Sequence, residues 1–280
     1  MNKQLSISVV GCGWLGLPLA ESLTTRGFRV KGTTTTAQKL EILRNKGIDP
    51  YLVHFEPDNL AITPDILNCD VLIINIPPSS RDPLKSGNYQ LMADYFAATL
   101  PNSPVRKIIL VSSTSVYKED NTEIFETDLA DPDSAAGKLL VETENKFLAI
   151  QNKKVCIVRA AGLVGPERHP GRFFRNRTQI PNGLSPVNLI HRDDVIGIIQ
   201  KLIASENAFG IYNACSPSHP SKQDFYRYAA QFSGFPPPDF IPEKLSWKII
   251  SSLRVNNELE YIFKYPDLIK WLESEGEGQL

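Results

Sequence analysis

The sequence is poor in the features that mark several broad kinds of function. Its formal net charge is −1 over 280 residues, and no basic run is interleaved with aromatics, so nucleic acid is not an expected partner. Cysteine is scarce: Cys12, Cys69, Cys156 and Cys215 lie far apart, mostly in or beside apolar runs. That spacing builds neither a disulfide framework nor a zinc site, and reduced core thiols are expected. His54, His169, His191 and His219 lack metal-ligand spacing. No apolar stretch approaches the ~20 residues that span a bilayer. No leader-like segment precedes the first apolar run, and no serine stands in a nucleophile-elbow context. Internal repeats and low-complexity segments are also missing. The expectation is a soluble cytoplasmic protein, with no metal, membrane or nucleic acid involved.

What is present is a core-forming composition, 42% hydrophobic, enough for one large α/β domain or a domain with a smaller lobe. The chain is organised around its first twenty residues. Leu5, Ile7, Val9 and Val10 form a strand-like run, followed at once by Gly11-Cys12-Gly13-Trp14-Leu15-Gly16. Leu15, Leu19 and Leu23 then recur at helical spacing. A Gly-x-Gly-x-x-Gly turn between strand and helix is the dinucleotide-binding fingerprint. Gly11 permits the tight turn, Gly13 lets backbone approach a pyrophosphate, and Gly16 lets helix and strand pack closely. Unpaired amides at the helix start face the phosphates.

Further along, Phe28-Arg29-Val30 starts a second strand, 37–43 reads as a short helix and 51–53 as a third strand. Asp70 to Ile76 is a continuous apolar run, the signature of a parallel strand buried on both faces, and Pro77-Pro78 stops it. A helix over 89–99, a strand over 107–111, a helix over 134–150 and a strand over 155–159 follow. The fold class is therefore α/β, a Rossmann-type doubly wound parallel sheet. Beyond Gly165 proline becomes frequent, and helices over 195–203 and 222–232 flank a short strand at 211–213. The division expected is a dinucleotide-binding domain over 1–165 and a smaller C-terminal substrate lobe over 166–280, packed over the carboxyl edge of the sheet, with 187–215 returning to it. Residues 273–280 are polar and expected to fray.

Three polar groupings are candidates for chemistry. The segment after the second strand reads Lys31-Gly32-Thr33-Thr34-Thr35-Thr36, with Glu41 as its first acid. Threonine hydroxyls such as those of Thr34 and Thr35, the start of the next helix and Lys39 suit a 2′-phosphate, which favours NADP(H) over NAD(H); a polar turn and helix cap is the other reading. Ser112 to Tyr117 places hydroxyls just past a buried strand, within reach of a substrate oxygen, or simply caps a loop. Arg159, or Arg172, Arg175 and Arg177 with His169, would suit an anionic substrate. In His191-Arg192-Asp193-Asp194 the two acids read as caps of the following helix.

These residues, with Ile74-Asn75-Ile76-Pro77-Pro78, Lys138-Leu139-Leu140-Val141-Glu142, Arg159-Ala160-Ala161-Gly162-Leu163-Val164-Gly165-Pro166 and Asn188-Leu189-Ile190-His191-Arg192-Asp193-Asp194-Val195, resemble the short-chain dehydrogenase/reductase superfamily. The resemblance is to its extended and atypical branch, which contains nucleotide-sugar epimerases and dehydratases, and it runs to about Asn213. It implies a nicotinamide cofactor held by Gly11, Gly13, Trp14, Leu15, Gly16, Thr34, Thr35, Asn75, Ile76, Pro77, Ser112, Lys138, Ala161 and Gly162. It also implies a small-molecule substrate, anionic or a nucleotide-sugar, and a homodimer formed through the helices around Lys138.

The departures from the family are as informative. Active members carry Tyr-x-x-x-Lys on one helix face, where the lysine lowers the tyrosine pKa for proton exchange with the substrate hydroxyl. Aligning Lys138 with that lysine puts Ser134 at the tyrosine position. Ser113 occupies the substrate-polarising Ser/Thr position, whereas Thr114 and Ser115 stand where sugar 4,6-dehydratases carry Asp-Glu. Tyr117 is the nearest other phenol. The candidate catalytic set is thus Ser113, Tyr117, Ser134 and Lys138. The reading is an NAD(P)-binding oxidoreductase or epimerase-like protein lacking the usual tyrosine. The alternative is a non-catalytic NADP(H) sensor that regulates a partner.

Overall fold

The computed structural model describes residues 4–57, 59–78 and 83–277. Its elements, in chain order, are β1 (Ser6–Val10), α1 (Gly16–Thr25), β2 (Arg29–Thr34), α2 (Lys39–Asn45), β3 (Asp49–Leu52), β4 (His54–Glu56), β5 (Asn59–Ala61) and β6 (Val71–Ile74). Then come α3 (Pro83–Thr99), β7 (Lys107–Ser113), β8 (Thr122–Ile124), α4 (Ala135–Leu148), β9 (Lys154–Ala160), β10 (Gly162–Val164) and β11 (Leu189–His191). The chain closes with α5 (Arg192–Ala204), β12 (Gly210–Ala214), α6 (Lys222–Phe232), β13 (Lys248–Ile250), α7 (Leu253–Leu259) and α8 (Leu268–Glu277).

Seven strands form a parallel sheet in the order β12-β9-β7-β6-β1-β2-β3, the doubly wound α/β fold expected. The order reverses between β1 and β6, and such a switch point opens a crevice at the carboxyl ends of the strands. β1 and β6 are buried along their whole length because helices cover both faces. Ile7, Val9, Leu72, Ile73, Ile108 and Ile109 are fully shielded from solvent. At the amino edge Asp70 accepts hydrogen bonds from Ser6 N (3.0 Å), Ser6 Oγ (2.8 Å) and Arg106 (3.1 Å), tying β1 to the segments entering β6 and β7.

The chain divides into two compact units: 1–116, 132–159 and 199–211 form the first, and 117–131, 160–198 and 212–280 the second. The second has two parallel strand pairs, β10 with β11 and β8 with β13. Its core gathers Phe225 and Ala229 of α6, Leu268, Trp271 and Leu272 of α8, and Phe240.

Several local expectations are corrected. The second strand runs on to Thr34, so Thr33 and Thr34 are buried strand residues. Helix α2 starts at Lys39 behind Gln38, with no side-chain cap, so the threonine run does not cap it. β7 extends through Ser113, which makes Ser112 and Ser113 strand residues rather than loop. Asp193 and Asp194 lie inside the first turn of α5. The imidazole Nδ1 of His191 accepts from Asp193 N at 3.2 Å, the contact a cap residue makes. Asp194 instead accepts from Tyr261 Oη (2.8 Å), Lys264 N (2.6 Å) and Tyr265 N (3.1 Å), pinning the 261–265 segment. The tail expected to fray is helical through Glu277, and 278–280 lie outside the described residues. The β4–β5 hairpin had no counterpart in the sequence pattern. All four cysteines are buried and free.

Candidate functional site

In the first unit the glycine loop is clamped by the ends of two neighbouring strands. Gly11 adopts φ +99°, open to glycine and strained for other residues, and donates its N–H to Thr33 Oγ1 at 2.9 Å. Cys12 N donates to Thr33 O at 2.8 Å. Just past β6, Asn75 N donates to Val10 O at 2.8 Å and Asn75 Nδ2 to Gly11 O at 3.2 Å. A β-carbon on Gly11 would stand 2.6 Å from Asn75 O, whereas one on Gly13 would meet nothing within 4 Å. Helix α1 begins behind Leu15 with no side-chain cap and no acid in its first turn. No acidic side chain of that first turn offsets its partial positive charge.

This end opens on a cleft of about 680 Å³. Gly11, Cys12 and Gly13 form one wall and Thr33 to Thr36 with Lys39 another, while Ile76 and Pro77 follow the end of β6. Among the cofactor candidates, Gly11, Gly13, Thr34, Thr35, Ile76 and Pro77 line it. Asn75 and Gly16 shape the loop from behind, and Leu15 is buried. Trp14 is half-buried in the loop. Sequence reasoning missed the remaining wall: His54, Phe55 and Glu56 of β4, with Asn88 and Tyr89 of α3. Phe55 is buried between the less buried His54 and Glu56, but three residues are too few for the sequence pattern to mark this extra strand. His54 Nδ1 lies 4.0 Å from Glu56 Oε1. Burial pushes the Cys12 thiol up to about 12, so it stays protonated and is not a nucleophile.

The remaining candidates of this unit lie away from that cleft. Ser112 is buried and its hydroxyl donates to Glu144. Ser113 is half-buried, and its Oγ accepts from Ser115 N at 3.2 Å. Ser134 is the N-cap of α4, accepting from Gly137 N at 3.0 Å. Lys138 is exposed and lines a separate hollow of about 270 Å³ with Ser86 and Gln90 of α3 and Leu139 and Glu142 of α4. Arg159 is corrected as an anion holder: it is only 4% exposed and grips Glu144 through Nη2 (2.6 Å) and Nε (3.1 Å).

In the second unit Tyr117 is buried, with its hydroxyl donated to Asn213 Oδ1 at 3.0 Å. Ala161 N donates to Ala214 O at 2.9 Å, and Gly162 N to Asn188 O at 3.1 Å. Arg172, Arg175 and Arg177 are exposed. The Arg175 guanidinium lies 4.8 Å over the Phe235 ring and that of Arg177 5.9 Å over Phe174. His169 Nδ1 accepts from Gly171 N at 3.2 Å. Among the described residues no three His, Cys, Asp or Glu side chains are grouped to hold a metal, and no helix is long and apolar enough to cross a membrane.

No family model matches the chain. Protein YeeZ of Escherichia coli strain K12 is 39% identical over 266 residues, covering 93% of this chain and 96% of YeeZ. Among solved structures, the UDP-glucuronic acid 4-epimerase of Bacillus cereus in complex with NAD matches with TM-score 0.80 at 17% identity, over 98% of this chain and 96% of that one. The human epimerase family protein SDR39U1 with NADPH matches with TM-score 0.74 at 17% identity, over 98% of this chain and 99% of that one. These likenesses show a shared fold, the Rossmann-type α/β architecture read from the sequence.

Proposed function

The chain belongs to the family of protein YeeZ, and on that premise we propose that it is an NAD(P)-binding oxidoreductase or epimerase-like protein of the atypical short-chain type. The observation that carries this reading is Gly13, where an added β-carbon would meet nothing within 4 Å, just before the start of α1, which has no side-chain cap. The cradle fits a pyrophosphate: backbone can come within contact distance, and the helix dipole favours the negative charge. Gly11, Gly13, Trp14, Leu15 and Gly16 hold the diphosphate. Asn75, Ile76 and Pro77 border the adenosine, and Thr34, Thr35 and Lys39 meet a 2′-phosphate, so NADP(H) is preferred. SDR39U1, which shares the fold, is described with NADPH. A bound nicotinamide supplies a hydride donor or acceptor. The substrate class is a small anionic molecule or nucleotide-sugar, in keeping with the epimerase of like fold.

The proton-transfer step is where this chain departs from active relatives. Ser134 stands at the expected tyrosine position and its hydroxyl accepts from Gly137 N as a helix cap. A serine hydroxyl has no pKa near neutrality, so it does not replace a phenol. Tyr117 is already donated to Asn213. Both facts favour the second reading, a non-catalytic NADP(H) sensor, over a standard epimerase, while Ser113 keeps the enzymatic reading in play.

A titration of the purified protein with NADPH and NADH, followed by Trp14 emission, tests the shared premise. Micromolar NADPH binding that Gly13→Asp abolishes supports the cofactor reading. If neither nucleotide binds, that reading and every site assignment built on it fall. Turnover in a screen of aldehydes, ketones and nucleotide-sugars then separates enzyme from sensor.

A further inference from the structure

One carboxylate, that of Glu144 on α4, joins the carboxyl-terminal parts of two adjacent strands. Ser112, the next-to-last residue of β7, donates its hydroxyl to Glu144 Oε1. Arg159 of β9 donates from Nη2 to Oε2 at 2.6 Å, and its Nε lies 3.1 Å from Oε2 and 3.2 Å from Oε1. All three side chains are withdrawn from water, with 6%, 1% and 4% exposure for Ser112, Glu144 and Arg159.

Burying an ion pair this completely is a poor route to stability, because desolvation offsets most of the Coulomb attraction and well-packed apolar residues do as well or better. What the arrangement does supply is geometry. A planar guanidinium on a carboxylate allows essentially one relative placement, and here it couples β9, β7 and α4 at one point. That point lies beside Ser113, at the carboxyl edge where open α/β sheets receive their ligands.

We propose that Glu144 is a positioning residue: it locks the ends of β7 and β9 against α4, presetting these strand ends for the nicotinamide half of a dinucleotide. The proposal rests on the cofactor reading above. It divides recognition between two sets of elements. The glycine loop and the 33–39 segment hold the adenosine and diphosphate half, whereas the hydrogen bonds of Glu144 go to Ser112 and Arg159. The strand ends held by Glu144 serve only the other half. Loosening Glu144 therefore weakens the whole dinucleotide while sparing its adenosine fragment, which a general loss of folding does not do.

The test compares the affinity for NADPH with that for 2′,5′-ADP, by calorimetry, in the unaltered protein, Glu144→Gln, Ser112→Ala and the double variant. Glu144→Gln keeps the shape and removes the charge; Ser112→Ala removes a single hydrogen bond, so it folds even if the first does not. The expected result is about tenfold weaker NADPH binding in each single variant, roughly the loss of one charge-assisted hydrogen bond, with 2′,5′-ADP affinity unchanged. The double variant loses no more than the worse single one, because both act through one carboxylate. Parallel loss of both affinities, unchanged NADPH binding in folded variants, or additive losses overturn the positioning role. Unaltered protein that binds 2′,5′-ADP as tightly as NADPH also overturns it, while leaving the nucleotide cleft standing. Unaltered protein that binds neither overturns the cofactor reading itself.

Discussion

The carbonyl oxygen of Gly11 lies 2.1 Å from where a β-carbon on Gly16 would stand. The two glycines form one contact, helix start against strand end, that leaves no room for a methyl group. Two residues earlier than Leu15, Gly13 has the opposite surroundings, with nothing within 4 Å of its added carbon. The same short motif thus contains one glycine required by packing and one that packing does not require.

That contrast yields the first prediction. Gly16→Ala overpacks backbone against backbone and is expected to lower stability by about 1–3 kcal/mol, read as a lower thermal midpoint. Gly13→Asp is expected to leave the midpoint within a degree or two of the parent, by roughly the few tenths of a kcal/mol typical of surface changes, and to abolish NADPH binding. A variant at Gly13 that retains NADPH affinity removes the reason for assigning the diphosphate to this loop.

Lys39 is the cation on the cleft wall that also carries Thr33 to Thr36. Lys39→Met is expected to weaken NADPH by about tenfold, about 1.4 kcal/mol, and to leave NADH nearly unchanged. Equal effects on the two nucleotides, measured by fluorescence titration at fixed ionic strength, would refute a 2′-phosphate contact.

His191 gives the fold a pH dependence. Burial against Tyr265 and Trp271, with ring centroids 4.0 and 4.9 Å away, lowers its pKa to about 4 from 6.5. The unfolded chain therefore binds the proton more readily than the folded one. The stability from His191 is complete above pH 6.5 and is lost progressively as pH falls from there toward 4. His191→Asn keeps an N-cap acceptor without the titration. Denaturant midpoints at pH 7.5 and 5 should differ less in the variant, and an unchanged slope excludes His191 as its source.

Lys107 is 6% exposed, and its ammonium donates to Leu202 O at 2.6 Å and to Ser205 O. These carbonyls close the end of α5, where a cation offsets the helix dipole. Lys107→Met leaves them unsatisfied and is expected to cost about 1–3 kcal/mol without altering nucleotide affinity. Hydrogen exchange should quicken first over 199–205.

Much of the architecture was legible because its causes are local. The apolar run ending at Ile74 demands a strand buried on both faces, and the 222–232 helix was found with both ends correct, where Ser221 accepts from Asp224 N at 3.2 Å. The misread elements were those whose limits depend on distant partners. Thr33 and Thr34 look like turn residues in isolation, but β3 pairs with them and extends β2. The β4–β5 hairpin is too short for periodicity to show.

The sequence by itself determined the doubly wound sheet and the glycine loop at its switch point, because glycine and hydrophobic period act over a few neighbouring residues. Only the tertiary structure decided which polar groups are free. Arg159 reads as an anion ligand until Glu144 grips it. Tyr117 reads as a spare phenol until Asn213, 96 residues later, accepts its hydrogen bond. A polar side chain acts on a ligand or on the fold according to which partner reaches it first, and those partners are brought together only when the distant strands pair.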